Sequence, residues 1–188
     1  MPRDAYQTRT RLLTAARAEF AEHGIAGARV DRIAATAKTN KQMIYAYFGN
    51  KDALFDTVFD RHVSEWLGEV DFDATDLPGY AGRLFDYFEA DPAALRLVTW
   101  YRLERPAGPG LQSVVGVNEV RLAELAAAQH DGVLSDHYSP VQLLALVQAI
   151  ATSWSNMNPE FATAAGADGD LRRRTVVAAV GRLIADER

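Results

Sequence analysis

Val30-Asp31-Arg32-Ile33-Ala34-Ala35-Thr36-Ala37-Lys38-Thr39-Asn40-Lys41-Gln42-Met43-Ile44-Tyr45-Ala46-Tyr47-Phe48 is the stretch that decides the fold. Val30, Ile33, Ala34 and Ala37 recur at three- and four-residue steps, the stripe of a short helix. Seven or eight residues do not hold a helix alone, so it must pack on neighbours. Thr39-Asn40 reads as a capping pair, with the Asn40 side chain opening a second short helix over positions 41–48. There Ile44 and Phe48, one turn apart, share the inward side, while Lys41, Gln42, Met43 and Tyr45 share the outer one. Two short helices across a tight turn have the shape of a helix-turn-helix, whose second helix lies in a major groove while the first crosses the backbone.

The flanks supply the support this pair needs. Over positions 6–23, Leu12, Leu13, Ala16 and Phe20 make one apolar face. Gly24 follows, where a residue tolerant of positive φ ends a helix well. Ile44 and Phe48 are expected to pin the second short helix to Leu13, Phe20 and Ile33. Downstream, Gly49-Asn50 breaks the pattern, and Asn50 can cap a long fourth helix from Lys51. Its wide apolar face comprises Leu54, Phe55, Val58, Phe59, His62, Val63, Trp66 and Leu67.

Beyond Asp71 the punctuation is explicit. Leu77-Pro78-Gly79 opens a helix with Tyr80, Leu84, Tyr87 and Phe88. Asp91-Pro92 opens another with Leu95, Val98, Trp100 and Tyr101. A turn-rich connector at 106–110 precedes a helix over 111–129. Ser139-Pro140 starts a helix, apolar almost all round, predicted to reach about residue 156. A small-residue loop at 162–169 leads to a last helix over 170–186, with Val176, Val180, Leu183 and Ile184 on one stripe. No window alternates strictly enough for a strand. The predicted fold is all-α, with about nine helices: a three-helix head over residues 1–50, joined by the long fourth helix to a helical body over 51–188.

Composition bounds the function. With 188 residues, 48% apolar and 24% charged, the chain can bury a real core. It has no cysteine, which excludes disulfides, thiolate metal sites and cysteine nucleophiles. Mean hydropathy of −0.15 and frequent charges leave no membrane-spanning run, and Met1-Pro2-Arg3-Asp4 opens no secretory leader, so a cytoplasmic protein is expected. The formal charge of −5 hides an asymmetry. Through Lys51 there are nine basic residues against four acidic ones, whereas the remainder is strongly acidic. Only the head offers a footprint for a polyanion.

At these residues the chain resembles the tetracycline-repressor (TetR) family of bacterial transcriptional regulators. The likeness rests on Ile33-Ala34, on Lys41 opening the third helix, on Ile44-Tyr45-x-Tyr47-Phe48, and on Lys51-Asp52-x-Leu54-Phe55, with Gly24-Ile25 ahead of them, over roughly residues 8–56. Five features depart from the family pattern, among them Ala28-Arg29 where Ser or Thr often precedes the second helix, trading a hydroxyl cap for a guanidinium. Lys38 stands where glycine is usual, so the turn must carry a strained side chain or open differently. Thr39 replaces an apolar residue, Gln42 a small one and Tyr47 a histidine. The resemblance implies a homodimeric, ligand-responsive repressor of a palindromic double-stranded DNA operator. It also implies dimerisation through the helices at 139–156 and 170–186, and a small-molecule effector held in the body.

The expected DNA-binding set is Arg29, Lys38, Thr39, Asn40, Lys41, Gln42, Met43, Tyr45, Tyr47 and Lys51. Arg29, Lys41, Tyr45, Tyr47 and Lys51 would hold phosphates. The Gln42 amide suits adenine N6 and N7, and Met43 a thymine methyl. The plainer alternative makes the tyrosines core aromatics and Lys41 a solvated charge. For the effector, expected to be apolar or aromatic, the aromatic-rich set is Phe59, His62, Trp66, Phe85, Phe88, Trp100, Tyr101 and Trp154. Aromatics at helical spacing are more often simply core. His130, Asp131, Asp136 and His137 fit no zinc spacing, and no metal or cofactor is expected. Arg172-Arg173-Arg174, in a first helical turn, suggests pairing with a partner subunit or plain solvation. No nucleophile elbow, phosphate loop or H-E-x-x-H run is present, so no catalytic role is expected. Two rivals stand beside the regulator. One is a small-molecule-binding helical protein whose head docks a protein, without salt-sensitive DNA binding. The other is a helical enzyme with a base at His62 or His137, for which no partner constellation is visible.

Overall fold

The computed structural model describes residues 2–105, 110–166 and 168–185 of the chain. Among the described residues there are ten helices and no strand: α1 Pro2–Gly27, α2 Val30–Thr36, α3 Lys41–Phe48, α4 Lys51–Glu69, α5 Leu77–Ala90, α6 Pro92–Glu104, α7 Gln112–His130, α8 Pro140–Ala151, α9 Pro159–Ala165 and α10 Gly169–Leu183. They form two compact units, Met1–Glu65 with Pro92–Val114, and Trp66–Asp91 with Val115–Arg188. No described helix is long and apolar enough to cross a membrane.

The first unit is built on the stripe read at the start of the chain. Leu12, Ala16 and Phe20 are fully buried, and the Phe20 ring meets Phe55 of α4 edge-on at 5.2 Å. Ile33, Ala34, Ile44 and Phe48 are buried too, so α2 and α3 take their stability from packing rather than length. The side-chain oxygen of Asn50 accepts the Ala53 N–H at 2.8 Å and starts α4. The buried stripe of α4 runs from Leu54 to Val63. Trp66 is only half-buried and Leu67 exposed, so the stripe is shorter than the sequence suggested.

Gly24 has φ 71° and ψ −176°, a region open essentially to glycine alone, and α1 kinks there. A Cβ at this position would also meet the Glu104 carboxylate and stand 2.8 Å from the Trp100 ring. The turn has no room for a side chain. Glu19 ties α1 to α2: its Oε1 accepts the Arg29 backbone N–H and the Arg32 Nε–H, both at 2.8 Å. Burial opposes ionisation of this carboxyl, but the Arg32 and Arg29 hydrogen bonds outweigh it and hold its pKa below the ordinary 4.5.

In the second unit α5 packs against α8 and α10. Asp76 accepts the Gly79 N–H at 2.9 Å and caps α5, with Pro78 in its first turn. Leu77, Tyr80, Ala81, Leu84, Phe85 and Phe88 are buried. At Gly82 the helices are close enough that a Cβ would lie 3.0 Å from the Arg173 guanidinium and 3.1 Å from Val177. The arginine triplet is therefore not left to a partner or to solvent alone. Arg172 pairs with Glu89 at 3.2 Å and Arg173 with Asp86 at 2.8 Å, both on α5.

Several boundaries differ from the sequence reading, beginning with α1, which runs on through the Gly24 kink to Gly27 rather than ending at 23. Helix α8 stops at Ala151 rather than near 156, where the Thr152 hydroxyl turns back to the Gln148 carbonyl and Ser153 to that of Ile150. The expected loop at 162–169 is partly helical: Pro159 sets the first turn of α9, alanines extend it, and Gly166 at φ 72° ends it. Helix α10 starts at Gly169, capped by Asp168, whose Oδ1 accepts the Leu171 N–H at 2.9 Å. The last helix also ends early, at Leu183 rather than 186, where the Ile184 N–H donates to the Val180 carbonyl, and the expected connector at 106–109 lies outside the described residues.

Two measurements check this account. Gly24→Ala is expected to destabilise the protein by about 1–3 kcal/mol from the backbone conformation, with the overlap on Trp100 adding to that, read by urea unfolding. Glu19→Gln is expected to lower the unfolding temperature near neutral pH. Since folding lowers the Glu19 pKa, its contribution is whole above about 4.5 and is lost as pH falls through the folded value. The gap between wild type and Glu19→Gln should therefore close in acid.

Candidate nucleic-acid interface

The recognition candidate α3 is a helix of eight residues whose start is fixed by one side chain. Asn40 has extended φ/ψ, and its Oδ1 accepts the Met43 N–H at 3.1 Å. Ahead of it Lys38 sits at φ 53°, the one described non-glycine residue with positive φ. The strained side chain predicted at the turn is thus what the chain carries. Gly49, at φ 82°, ends α3 by donating its N–H to the Tyr45 carbonyl.

Helical geometry then sorts the side chains. At 100° per residue, Gln42 and Ala46 lie roughly 160° round the helix from Ile44, at the centre of the outer face. Both are exposed, Tyr45 beside them is half exposed, and Met43 is half-buried. Ala46 is the residue the sequence reading passed over. Its place opposite Ile44 was available from the helical period alone. Lys41, exposed at the first turn, pairs with the equally exposed Asp31 at 3.3 Å. A pair so open to water is worth little and is easily exchanged for a phosphate.

Two of the expected phosphate ligands have other partners. The Lys51 ammonium donates to the carbonyls of Ala26 at 3.1 Å and Ala28 at 3.2 Å. One of its three N–H donors remains for an anion. The Tyr47 hydroxyl donates to the Ala5 carbonyl at 3.4 Å, and its ring is half-buried. Arg29 is exposed and precedes α2 in an extended conformation; Thr39 is half-buried in the turn. Arg29, Lys38, Lys41, Gln42, Tyr45 and Ala46 are thus all exposed.

The turn holding Lys51's acceptors is gripped from a second side. Glu104, last residue of α6, accepts the Ile25 N–H at 3.2 Å and the Ala26 N–H at 2.7 Å. The Trp100 Nε1–H donates to the Ala21 carbonyl at 3.3 Å. Arg105 pairs with Asp56 and, at 3.6 Å, with Asp52, both on α4. Neither Glu104 nor Arg105 was singled out from the sequence, because nothing local marks a carboxylate as a partner for backbone eighty residues away.

The aromatic set expected around an effector divides between the two units. Phe59, His62 and Tyr101 lie together in the first, with Phe59 stacked on Tyr101 at 4.6 Å and edge-on to His62 at 5.9 Å. Trp100, in the same unit, is turned toward α1. Trp66, Phe85, Phe88 and Trp154 belong to the second, with Phe85 and Phe88 buried in α5 and Trp154 half-buried in the turn after α8. Among the described residues no group of three or more His, Asp or Glu side chains is arranged to hold a metal ion.

Known proteins agree with this geometry at both ends of the chain. Residues 12–58 match the family of bacterial regulatory proteins named tetR, and residues 76–182 match the tetracyclin repressor-like C-terminal domain. The chain is 41% identical over 162 residues to the HTH-type transcriptional repressor SCO4008 of Streptomyces coelicolor, across 84% of this chain and 83% of that protein. It is similar in structure to the regulator SCO4942 of Streptomyces coelicolor, with 44% identity and a TM-score of 0.84 over 94% of this chain and 98% of that one. A TetR-like regulator from Rhodococcus sp. RHA1 shares the fold at 14% identity, with a TM-score of 0.69 over 93% and 94% of the two chains. A helix-turn-helix built on a capped, exposed α3, together with matches that span head and body, identifies this chain as a DNA-binding transcriptional regulator that belongs to the TetR family.

Proposed function

We propose that the chain acts in the cytoplasm as a homodimeric repressor that reads a palindromic operator with α3 of each subunit and lets go when a small molecule binds its body. The observation that carries this reading is the division of α3 itself. Ile44 and Phe48 are buried beneath it, while Gln42, Tyr45 and Lys41 are exposed. Residues 1–50 form the DNA-binding part and 51–188 the effector-binding and dimerisation part. Arg29, Lys38, Lys41 and the remaining donor of Lys51 hold phosphates, with Tyr45 and Tyr47 beside them. Gln42 reads an adenine edge, and Met43 meets a thymine methyl. Thr39 and Asn40 bring the backbone of the turn to the duplex. The name of the SCO4008 relative supports repression over activation.

Helices α8 and α10 supply the dimer interface. On α8, Val141 is 60% and Leu146 37% exposed, an outward apolar face beside the buried Leu143, Leu144 and Val147. A second copy related by a two-fold axis covers it and presents two recognition helices one groove repeat apart. Release works through the grip on the α1–α2 turn. A ligand that favours a tilted α4 moves Lys51, and with it the carbonyls of Ala26 and Ala28 on which the head is hung. Its leverage equals its differential affinity for the two arrangements. An apolar or aromatic effector held within the body fits this scheme.

Selection from random duplexes on the purified protein is expected to return a palindrome with half-site centres roughly 34–36 Å apart. Gln42→Ala should relax the preference at one position of each half-site. Lys41→Ala should weaken binding to all sequences alike and lower the salt slope by about one per subunit, without lowering the unfolding temperature. Lys51→Ala should weaken binding and also destabilise the fold. Unchanged DNA affinity in the Gln42 and Lys41 variants together would overturn the assignment. Leu146→Glu is expected to give a folded monomer in sedimentation that no longer distinguishes the palindrome from a single half-site.

A further inference from the structure

Helix α7 buries a guanidinium among aromatic rings, with Glu124 the carboxylate whose charge favours it. Arg121 is 3% exposed, and its two terminal nitrogens, Nη1 and Nη2, are shut off from solvent with no hydrogen-bond partner. Its guanidinium carbon lies 4.3 Å from the centre of the Trp66 ring, 5.3 Å from Phe72 and 5.4 Å from Tyr80. Ring faces soften the burial of a cation but supply no acceptor for its N–H groups. The Trp66 indole nitrogen of the same cluster is also buried without an acceptor, while the Tyr80 hydroxyl stands beside Gln148 and the guanidinium. Three N–H-bearing nitrogens are thus gathered in an apolar setting without acceptors. Arg121 keeps its charge in a protein, so neutralisation cannot relieve it.

Arg121 also stands in the wall of a cavity of about 430 Å³ whose apolar lining includes Leu67, Val70, Val117 and Val120. That volume is in the range that holds a drug-sized molecule. The two carboxylates that share the lining, Asp71 and Glu124, belong to solvent-exposed residues. We infer that Arg121 anchors an effector, and that the effector is an organic carboxylate with an apolar body. Nη1 and Nη2, closed to solvent in the unliganded protein, form the end of a planar fork that matches the two oxygens of one carboxylate once the ligand displaces the side chains covering them. A doubly charged phosphate ester is a poorer match, with a single cation to meet it and Asp71 and Glu124 nearby. The apolar body then occupies the valine- and leucine-lined space. This rests on the reading that the body binds an effector, and gives that effector its chemical class.

Decanoate and its neutral counterpart decanamide test the inference on the full-length dimer, by tryptophan fluorescence and calorimetry. Decanoate is expected to bind about tenfold or more tightly than decanamide. Arg121→Met should abolish that preference while the unliganded variant unfolds at the same or a higher temperature, since an unpaired buried charge is gone. Arg121→Lys, which keeps the charge but not the fork, should retain only part of the preference. Val117→Trp, which fills the cavity and leaves Arg121 in place, should remove binding of both probes. Equal binding of the two probes, or a preference that survives Arg121→Met, would overturn the inference, as would a wild-type stability that depends on Arg121. A gel shift on the selected operator separates this from the wider reading. If decanoate binds through Arg121 yet leaves the DNA complex intact, the carboxylate site stands and release by this route fails. If both probes release DNA equally, release stands and the carboxylate preference fails.

Discussion

The turn between α1 and α2 is where backbone satisfaction governs the rest of the first unit. A kink at Gly24 interrupts the helical ladder and leaves N–H and C=O groups that must find partners. Opposite charges answer the two kinds of group. The Glu104 carboxylate takes the N–H groups of Ile25 and Ala26, and the Lys51 ammonium takes the carbonyls of Ala26 and Ala28. Hydrogen bonds to charged groups are among the stronger ones, so α6 and α4 both acquire a hold on the segment from which the helix-turn-helix hangs. Glu19 extends the arrangement by taking the Arg29 N–H at the start of α2.

The same economy explains why α3 can be short and still well placed. Eight residues cannot sustain a helix alone, but Ile44 and Phe48 seat it and Asn40 closes its open end. What remains outward is free to be chosen for a duplex. Lys38 shows the cost of that freedom: a lysine holds a left-handed conformation where glycine would rest easily, which is sensible if its charge is wanted at that spot. In the second unit the unanswered guanidinium of Arg121 is a comparable local sacrifice. Arg172 and Arg173, by contrast, have carboxylate partners on α5.

Much of the site was legible because it is local. Capping by Asn40 and Asn50, the positive φ at Gly24, the strain at Lys38 and the inward seating of Ile44 all follow from residues within one or two turns. Tyr47 and Lys51 were harder, since their polar ends are taken by Ala5, Ala26 and Ala28, which are distant in sequence. Arg121 left a trace that went unread: it is four residues before Leu125 and seven before Ala128, on the buried stripe of α7. A charge on an apolar stripe is a signal that helical periodicity carries without any structure.

The amino-acid order by itself determined the helices, their caps and the helix-turn-helix, because each depends on apolar period and on side chains that reach their own backbone. It also determined the charge asymmetry that makes the head the end facing a polyanion. The tertiary structure decided which charges are already spent. Glu104 against Ile25, Arg105 against Asp56, and Arg121 among three rings are meetings between segments tens of residues apart, and pairing across such distances is set by how the helices pack. The short α9 and the early end of α8 are local instead, set by a proline first turn and by two hydroxyls that turn back to carbonyls of their own helix.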